Sequence, residues 1–337
     1  MKHGNTFPMK THFGFQMVRV GALAMAAALG WASQIMALPV ELLGVHDDNS
    51  NTIYRYDLNG NPLTPPSWSS GNDPFVLAGT PTGFFVARYD FTTATDIRAY
   101  NRNGTVNTSF GTGGDVNITG YSQLIRSHGM SYDPLADKLY LGGRWQGGTG
   151  SGMPVLAFSS TGAQSLVGTI SAPANDTEFD VTVDPNGTLY AGSYEGNKIY
   201  KYSPGSISGS TTNFTILVTA PVGVWAIAAD TNYVYAVLNV AGTNIKRYNS
   251  TTGVEDGTWS VSDPDNFSDL VIGDSYLFAE DNAGDLHRYN TLGSPGGTVI
   301  VSMSPRFDTL AIEIPEPGMV ALGGLGLLLL WPRRSRR

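Results

Sequence analysis

The chain has 337 residues, of which 41 are Gly and 19 are Pro; 14% of its residues are charged and 11% are aromatic. This composition favours short strands joined by tight turns, and no window shows the 3.6-residue apolar period of a long soluble helix. It excludes a helical bundle and argues against a doubly wound α/β enzyme. The absence of Cys excludes disulfides, thiolate nucleophiles and thiolate metal sites.

The net charge of −8 conceals an uneven distribution along the chain. Residues 1–37 carry three basic residues and no acid, and residues 315–337 carry four Arg and one Glu. The body, residues 38–314, therefore has 13 basic and 27 acidic residues, a net charge of −14. Nucleic-acid binding requires clustered Lys and Arg, so we do not expect a nucleic-acid partner.

The N-terminal segment has the order of a secretory signal peptide. A basic, acid-free lead of 19 residues precedes the apolar run VGALAMAAALGWA (20–32), and small residues follow up to Ala37. We predict a signal peptide over residues 1–37, cleaved after Ala37 or, as an alternative, after Ala32. A buried N-terminal helix is the weaker interpretation, because a basic lead contributes nothing to a soluble core.

The C-terminus combines three features in order: the triplet Pro315-Glu316-Pro317, an apolar run (319–331), and a basic cluster of Arg333, Arg334, Arg336 and Arg337. The two Pro residues keep the triplet extended and accessible to a protease. As a helix, 13 apolar residues span about 20 Å against a hydrocarbon core of roughly 30 Å, which suits a transient membrane contact. The terminal Arg residues favour a cytoplasmic C-terminus.

These three features resemble the PEP-CTERM sorting signal, with residues 315–337 as the sorting tail. The resemblance implies an exosortase-type processing enzyme as a partner and export through the inner membrane of a Gram-negative bacterium. It further implies a membrane-anchored precursor and, after processing, a location at the cell surface or in the extracellular matrix, often beside exopolysaccharide. Gly323, Gly324, Gly326 and Pro332 depart from a strong membrane helix.

A short motif recurs through the body: an apolar residue, two residues of any type, an aromatic residue and then a polar turn. Its aromatic positions are spaced 44, 58, 44, 46 and 41 residues apart and are Tyr56, Tyr100, Phe158, Tyr202, Tyr248 and Tyr289. A period near 45 is typical of a four-stranded propeller blade. We expect these aromatic residues to pack between sheets rather than to bind a ligand.

One further strand-like run precedes each aromatic position, and a second run precedes five of the six, its sixth copy lying at the end of the body. Second strands are predicted at 42–46, 84–88, 139–142, 189–193, 234–238 and 276–279, and first strands at 75–77, 129–133, 179–184, 224–229, 270–272 and 307–314. The chain thus begins on a second strand and ends on a first strand. We therefore predict an all-β, six-bladed β-propeller over residues 38–314, closed by the last strand, which completes the first blade.

Turn residues support these divisions. Asp184-Pro-Asn-Gly187 predicts a tight hairpin, and Asp57-Leu-Asn-Gly60 and Asn101-Arg-Asn-Gly104 predict turns from third into fourth strands. The Gly/Ser/Thr-rich stretch 144–153 fills the longest spacing, and we expect an exposed loop there that carries Trp145.

The stretch 179–194, followed by 197–202, resembles NHL-type and gluconolactonase-like six-bladed propeller repeats in its spacing and turn residues. The stretch 100–114 resembles one copy of the delta-60 repeat, which is also a propeller-type unit. Both resemblances imply the same architecture.

The sequence contains no nucleotide-binding, zinc-protease or serine-hydrolase motif, and no stretch fits a calcium-loop pattern. What remains is a set of acids on the predicted innermost strands, Glu178, Asp180, Asp269 and Asp308, with His128 and Trp225 at comparable positions. If they converge at one mouth of a central channel, they are candidate ligands for Ca²⁺ or Mg²⁺. Gluconolactonase-like enzymes use that location; the alternative is that these are solvated or turn-capping carboxylates.

These observations favour an exported β-propeller that binds polysaccharide or a surface protein without catalysis. No catalytic residue is assigned and no cofactor is expected, although Ca²⁺ is a possible ligand of the channel acids. The alternative is a metal-dependent lactonase or hydrolase of the gluconolactonase-like type, built on the channel acids.

Overall fold

The computed structural model describes residues 41–46, 51–70, 74–88, 96–122, 124–146, 153–170, 176–202, 213–239, 245–263, 266–302 and 307–312. For a few of these only the backbone is described, namely Val45, His46, Ile125, Trp145, Gln146, Asp176, Thr177, Phe307 and Asp308. The described residues belong to one compact unit, Val40–Ile314. Within them, no helix is long and apolar enough to cross a membrane.

The described secondary structure consists of 24 β-strands. The first twelve are β1 (Leu42–His46), β2 (Thr52–Tyr56), β3 (Pro62–Ser69), β4 (Pro74–Gly79), β5 (Gly83–Arg88), β6 (Ile97–Asn101), β7 (Asp115–Val116), β8 (Leu124–Asp133), β9 (Lys138–Gln146), β10 (Met153–Ser159), β11 (Gln164–Ile170) and β12 (Asp176–Val183). The others are β13 (Leu189–Ser193), β14 (Lys198–Tyr202), β15 (Phe214–Thr219), β16 (Val224–Ala229), β17 (Tyr233–Leu238), β18 (Ile245–Asn249), β19 (Glu255–Val261), β20 (Phe267–Gly273), β21 (Tyr276–Asp281), β22 (Asp285–Asn290), β23 (Thr298–Ser302) and β24 (Phe307–Ile312).

Consecutive strands pair antiparallel into sheets. Four sheets have four strands each, in the orders β24-β1-β2-β3, β4-β5-β6-β7, β16-β17-β18-β19 and β20-β21-β22-β23. A fifth sheet has eight strands, because β12 pairs both with β13 and with the far end of β9. This arrangement confirms the predicted offset, in which a first strand opens each repeat.

The first strands form a closed ring at the centre of the body. β4 contacts β8, β8 contacts β12, β12 contacts β16, β16 contacts β20, β20 contacts β24, and β24 contacts β4. We call these the inner strands. The ring closes because β24, the last described strand of the chain, pairs with β1 from Leu42–Ile312 to His46–Phe307. The predicted pairing of the C-terminal strand with the first sheet is therefore confirmed.

The recurring aromatic residues lie in the core, as expected. Phe158 has no exposed surface, Tyr56, Tyr100, Tyr248 and Tyr289 are at most 6% exposed, and Tyr202 is partly buried. Their side chains fill the space between sheets, where a large apolar area leaves water on folding. These positions therefore stabilise the fold.

The predicted turns are present. In Asp57–Gly60 and Asp184–Gly187 the Asp side chain accepts hydrogen bonds from backbone N–H groups two and four residues ahead, at 2.8–2.9 Å. Gly60 and Gly187 have φ of 84° and 79°, a region that favours glycine. The turn Asn101–Gly104 is closed by a backbone hydrogen bond, which the N–H of Gly104 donates to the carbonyl oxygen of Asn101.

The predicted exposed loop at 144–153 is wrong at both of its ends. Arg144, Trp145 and Gln146 belong to β9, and Met153 opens β10 and is buried. β9 is longer than expected because its far end pairs on both sides, with β8 and with β12. The backbone of Trp145 therefore belongs to a strand. Residues 147–152 lie outside the described part of the chain.

Several predictions fall on residues that the structure does not describe. The signal peptide (1–37) with its two cleavage positions and the sorting tail (315–337) both lie outside the described residues. The tail includes the Pro315-Glu316-Pro317 triplet and Arg333, Arg334, Arg336 and Arg337.

Candidate functional site at the mouth of the central channel

The inner strands share an irregularity near one end of the channel. Along five of the six inner strands the antiparallel register with the neighbouring strand shifts, so that extra residues interrupt the pairing. These bulge residues are Phe75 on β4, Ile125 and His128 on β8, Trp225 and Ala226 on β16, Ser268 on β20 and Asp308 on β24. β12 pairs with β13 without a shift. A β-bulge re-aims a side chain, and bulges are enriched beside functional sites.

Bulge residues of four inner strands line one cavity of about 660 Å³, which we call the mouth cavity. These residues are Phe75, His128, Trp225, Ala226 and Ser268. The other polar and aromatic residues around it are Arg126, Arg144, Glu178, Tyr194, Glu195, Asn239, Asn266, Phe267, Asp269 and Asn282. Its volume lies in the range typical of small-molecule sites. The mouth cavity is therefore the candidate functional site.

Three charged side chains in the wall of the mouth cavity form a row across neighbouring strands. Arg126 on β8 is the register partner of Arg144 on β9, and Arg144 is the register partner of Glu178 on β12. Both guanidinium groups lie 3.3 Å from the same Glu178 carboxylate oxygen, Oε1. Cross-strand neighbours of opposite charge attract one another. Glu178 is therefore an ion-pair partner, and its backbone N–H donates to Glu195 at 2.9 Å.

His128 lies beside this row. Its Nε2 is 3.6 Å from the second Glu178 oxygen, Oε2, and its ring meets Trp225 edge-on at a centroid distance of 5.0 Å. Burial lowers the pKa of His128, and the negative charge of Glu178 opposes that shift. The side chain is therefore neutral at neutral pH, with one N–H and one acceptor nitrogen.

Aromatic rings and an amide form another part of the cavity wall. Trp225 also meets Tyr194 edge-on at 5.3 Å, and the Asn239 amide donates a hydrogen bond to the Tyr194 hydroxyl. Trp225 and Tyr194 are only partly buried, so ring surface remains accessible in the cavity. Rings of this kind offer an apolar face beside polar groups, which suits a ligand with both characters.

Deeper in the channel, Asp180 and Asp269 connect inner strands of neighbouring sheets. Asp180 Oδ2 accepts the backbone N–H of Ile227 on β16 at 2.7 Å, and Asp269 Oδ2 accepts that of Leu310 on β24, also at 2.7 Å. The other oxygen of each carboxylate accepts the N–H of the next residue in its own strand, again at 2.7 Å. Both side chains also line a smaller inner chamber of about 140 Å³.

The aspartate pair has perturbed proton affinity. Burial raises the pKa of Asp269 to about 6, although hydrogen bonds from Leu310, Leu270 and Thr309 favour the charged form. Burial also raises the pKa of Asp180 well above its usual range, and the negative charge of Asp269 raises it further. The two groups therefore interact electrostatically within the channel.

The predicted channel residues come together only in part. Glu178, His128 and Trp225 meet at the mouth cavity, Asp180 lies in the inner chamber, and Asp269 lines both spaces. Asp308 has its backbone at the bulge of β24, and its side chain lies outside the described part. A set of sequence-distant partners was missed: Arg126, Arg144, Tyr194, Glu195, Asn239, Asn266 and Asn282.

The described carboxylates do not fit a divalent metal in this arrangement. Glu178 is engaged by two Arg residues, and every oxygen of Asp180 and Asp269 accepts a backbone N–H. Metal ligands need lone pairs directed at a common point. These acids therefore stabilise the channel wall as they stand.

A different group has the proximity that a metal requires. Among the described residues, Asp263, Asp281 and His287 bring ligand atoms within 4.8 Å of one another. His287 Nε2 lies 2.7 Å from Asp281 Oδ2, while Asp281 Oδ1 accepts the N–H groups of Ala283 and Asp285. These contacts account for Asp281 as a turn cap paired with His287, and none of the three residues lines the mouth cavity.

No protein-family model matches the sequence, and no curated protein matches it. Two solved structures share its architecture. The crystal structure of a nidogen/laminin complex contains a chain with a TM-score of 0.58 at 12% identity, covering 82% of this chain and 98% of that one. A protein of unknown function from Bacteroides caccae gives a TM-score of 0.55 at 12% identity, with 82% and 99% covered. The body of the chain is a β-propeller. At this identity the likeness concerns the fold alone.

Proposed function

We propose that this protein is an exported β-propeller that binds polysaccharide at the mouth cavity and catalyses no reaction. The observation that carries the proposal is the wall of that cavity: Trp225 and Tyr194 offer ring surface beside amide and guanidinium groups, and Glu178 is occupied by two Arg residues. Aromatic faces pack on sugar rings, while amides and guanidinium groups hydrogen-bond to sugar hydroxyls.

The charges of the site favour a neutral sugar. Arg126 and Arg144 offset Glu178 and Glu195, and Asp269, whose oxygens accept backbone N–H groups, is the one further carboxylate among the described lining residues, so the cavity has no large net charge of either sign. The body as a whole has a net charge of −14 and would repel an acidic polymer unless cations bridged the two. Neutral polysaccharide is therefore the first candidate, with a calcium-bridged acidic polysaccharide and a surface protein as the alternatives.

The proposal includes six blades. The eight-stranded sheet counts as two, since β8 and β12 are both inner strands and each has its own second strand, β9 and β13. Among the described residues, three register pairs, Asp176–Glu178 with Arg144–Gln146, join the two halves. With the four other sheets this gives six blades, as the 45-residue period predicts.

The proposal also includes export and sorting. A signal peptide over residues 1–37 would direct the chain across the inner membrane, and the tail over 315–337 would anchor the precursor until an exosortase-type enzyme processes it. The support is the order of the terminal motifs in the sequence. The mature protein would then reside at the cell surface or in the extracellular matrix, close to polysaccharide.

Calorimetry tests the binding function. The full chain, kept soluble in a mild detergent, is titrated with neutral polysaccharide purified from the producing organism's matrix, with and without a chelator. We expect a dissociation constant in roughly the micromolar to millimolar range, about −4 to −8 kcal/mol. A chelator-sensitive signal would identify calcium bridging. Absence of binding to every matrix polysaccharide would contradict the proposal.

The second candidate function is a metal-dependent lactonase or hydrolase. The observation in its favour is the buried Asp180–Asp269 pair with raised pKa values, since perturbed pKa values cluster at catalytic sites. A lactone-hydrolysis assay in Ca²⁺, Mg²⁺ or Zn²⁺ separates the two. Metal-dependent turnover that Glu178→Ala or Asp308→Ala abolishes would overturn the binding module in favour of the enzyme.

A further inference from the structure

A side chain that lines the mouth cavity has a buried nitrogen for which the described residues supply no hydrogen bond. Nδ1 of His128 has no partner among the described residues, and the side chain is only 10% exposed. The ring borders both the mouth cavity and the inner chamber. Buried polar atoms in native proteins are nearly always paired, with protein, ordered water or ligand. Because the ring borders both spaces, a group held in one of them is in a position to supply this partner.

The chemistry of that partner follows from the protonation of His128. The neutral ring places its single N–H on Nε2, because Nε2 is the nitrogen that faces the Glu178 carboxylate at 3.6 Å. Nδ1 then presents a lone pair. Its complement is a donor, and a hydroxyl group supplies one within a cavity that also holds amide and aromatic side chains.

The shape of the cavity restricts how a polymer enters. Its wall takes residues from inner strands around the ring: Phe75 on β4, His128 on β8, Glu178 on β12, Trp225 on β16 and Ser268 on β20. A groove would have two open ends, whereas this cavity is a well centred on the channel. A polysaccharide lying across it would stay outside, and only a chain end reaches His128.

We propose that the mouth cavity binds one terminal sugar unit of a neutral polysaccharide end-on, with a hydroxyl of that unit donating a hydrogen bond to Nδ1 of His128. This inference rests on the proposed polysaccharide-binding function. It assigns the sugar unit to the space of about 660 Å³ bounded by Trp225 and Tyr194. If binding is end-on, the amount of protein bound depends on the number of polysaccharide chain ends rather than on the mass of polymer.

The test uses the full chain in mild detergent with methyl glycosides of glucose, galactose, mannose and glucuronic acid as probes. We expect a neutral glycoside to bind and to displace the matrix polysaccharide. His128→Leu removes the acceptor and should weaken glycoside binding about tenfold, whereas His128→Asn, whose amide oxygen lies near the place of Nδ1, should retain most of it. Leu292→Ala, at a surface position that is 74% exposed, is the matched control.

A measurement on the unaltered protein accompanies the variants. The ¹⁵N resonance of His128 Nδ1 should move on addition of the bound glycoside, in the direction of an accepted hydrogen bond. An unmoved resonance, equal binding by His128→Leu, or polysaccharide binding that no glycoside displaces would overturn the end-on inference and leave the binding function standing. If the unaltered protein binds no polysaccharide at all, the proposed function itself is wrong.

Discussion

At the scale of single residues, the inner ring depends on Asp180 and Asp269. Each reaches from its own inner strand to a backbone N–H of the next one, to Ile227 and Leu310 respectively. Side chains that accept two backbone N–H groups in a buried place satisfy donors that the bulged strands leave open. Burying two interacting carboxylates destabilises their charged forms, and this raises the pKa of each.

This cost predicts how stability changes with pH. With a folded-state pKa of about 6 for Asp269 against roughly 4 in the unfolded chain, the native state holds a proton that the unfolded state has released between those values. The free energy of unfolding contributed by the pair therefore falls as pH rises through this window. Denaturant titrations would measure the free energy of unfolding of the wild type and of the double variant Asp180→Asn/Asp269→Asn. The wild-type value minus the variant value should fall by a few kcal/mol as the pH rises from about 4 to above 6. A flat or rising difference would contradict the assignment.

Gly129 is glycine because Asp180 occupies its side-chain space. A Cβ atom at Gly129 would lie 1.7 Å from Asp180 Oδ1 and 2.7 Å from its Cα atom, so the backbone would have to move. We expect Gly129→Ala to lower the free energy of unfolding by about 3 kcal/mol. Gly257→Ala, where no atom lies within 4 Å, is the control and should change it by less than about 0.5 kcal/mol. Similar melting curves for the two variants would refute the close packing.

At the scale of elements, β24 closes the ring. It pairs with β1, contacts β20 and β4, and supplies the Leu310 N–H that Asp269 binds. Without it, β1 would become an unpaired edge strand, and Asp269 would lose an inter-strand partner.

Truncation tests this role. A chain that ends at Arg306 should melt at a sharply lower temperature than a chain that ends at Ile314, which retains β24 and also lacks the sorting tail. Circular dichroism during thermal unfolding provides the measurement. Coincident transitions for the two chains would show that closure contributes nothing to cooperative stability.

The sorting tail makes a separate prediction. Replacing Pro315-Glu316-Pro317 with three Ala residues removes the extended segment, so the precursor should remain membrane-bound and unprocessed. Fractionation and immunoblotting of the producing cells would show the unshortened chain in the membrane. Release of a shortened protein from this variant would mean that the processing enzyme does not recognise the triplet.

The sequence predicted elements better than it predicted the site. Local patterns define strands such as Leu189–Ser193 and Val224–Ala229, whose observed bounds equal the predicted ones. β9 was predicted too short because its Gly- and Arg-containing end is a strand only through pairing on both sides. Likewise, Arg126 and Arg144 join Glu178 through the register of three strands, which no local pattern contains. The period-2 spacing of Arg126 and His128 is a local signal that could have placed Arg126 beside His128.

At the scale of the whole molecule, recurrent bulges turn a ring of strands into a site. Residues that are far apart in the chain, from Phe75 to Ser268, surround one cavity because five of the six inner strands break their register near the same end of the channel. The ring positions these residues, and their identities determine what binds. The central claim is therefore that ligand binding resides in the mouth cavity.

The most direct test of that claim compares polysaccharide binding by the full chain and by Trp225→Ala, using calorimetry, with Leu135→Ala at a 70% exposed surface position as the control. Loss of the Trp225 ring removes stacking surface, so we expect affinity to fall about tenfold or more while the control binds as the wild type does. Equal affinity for Trp225→Ala and wild type, with unchanged melting temperatures, would place the binding surface outside the mouth cavity and contradict the account.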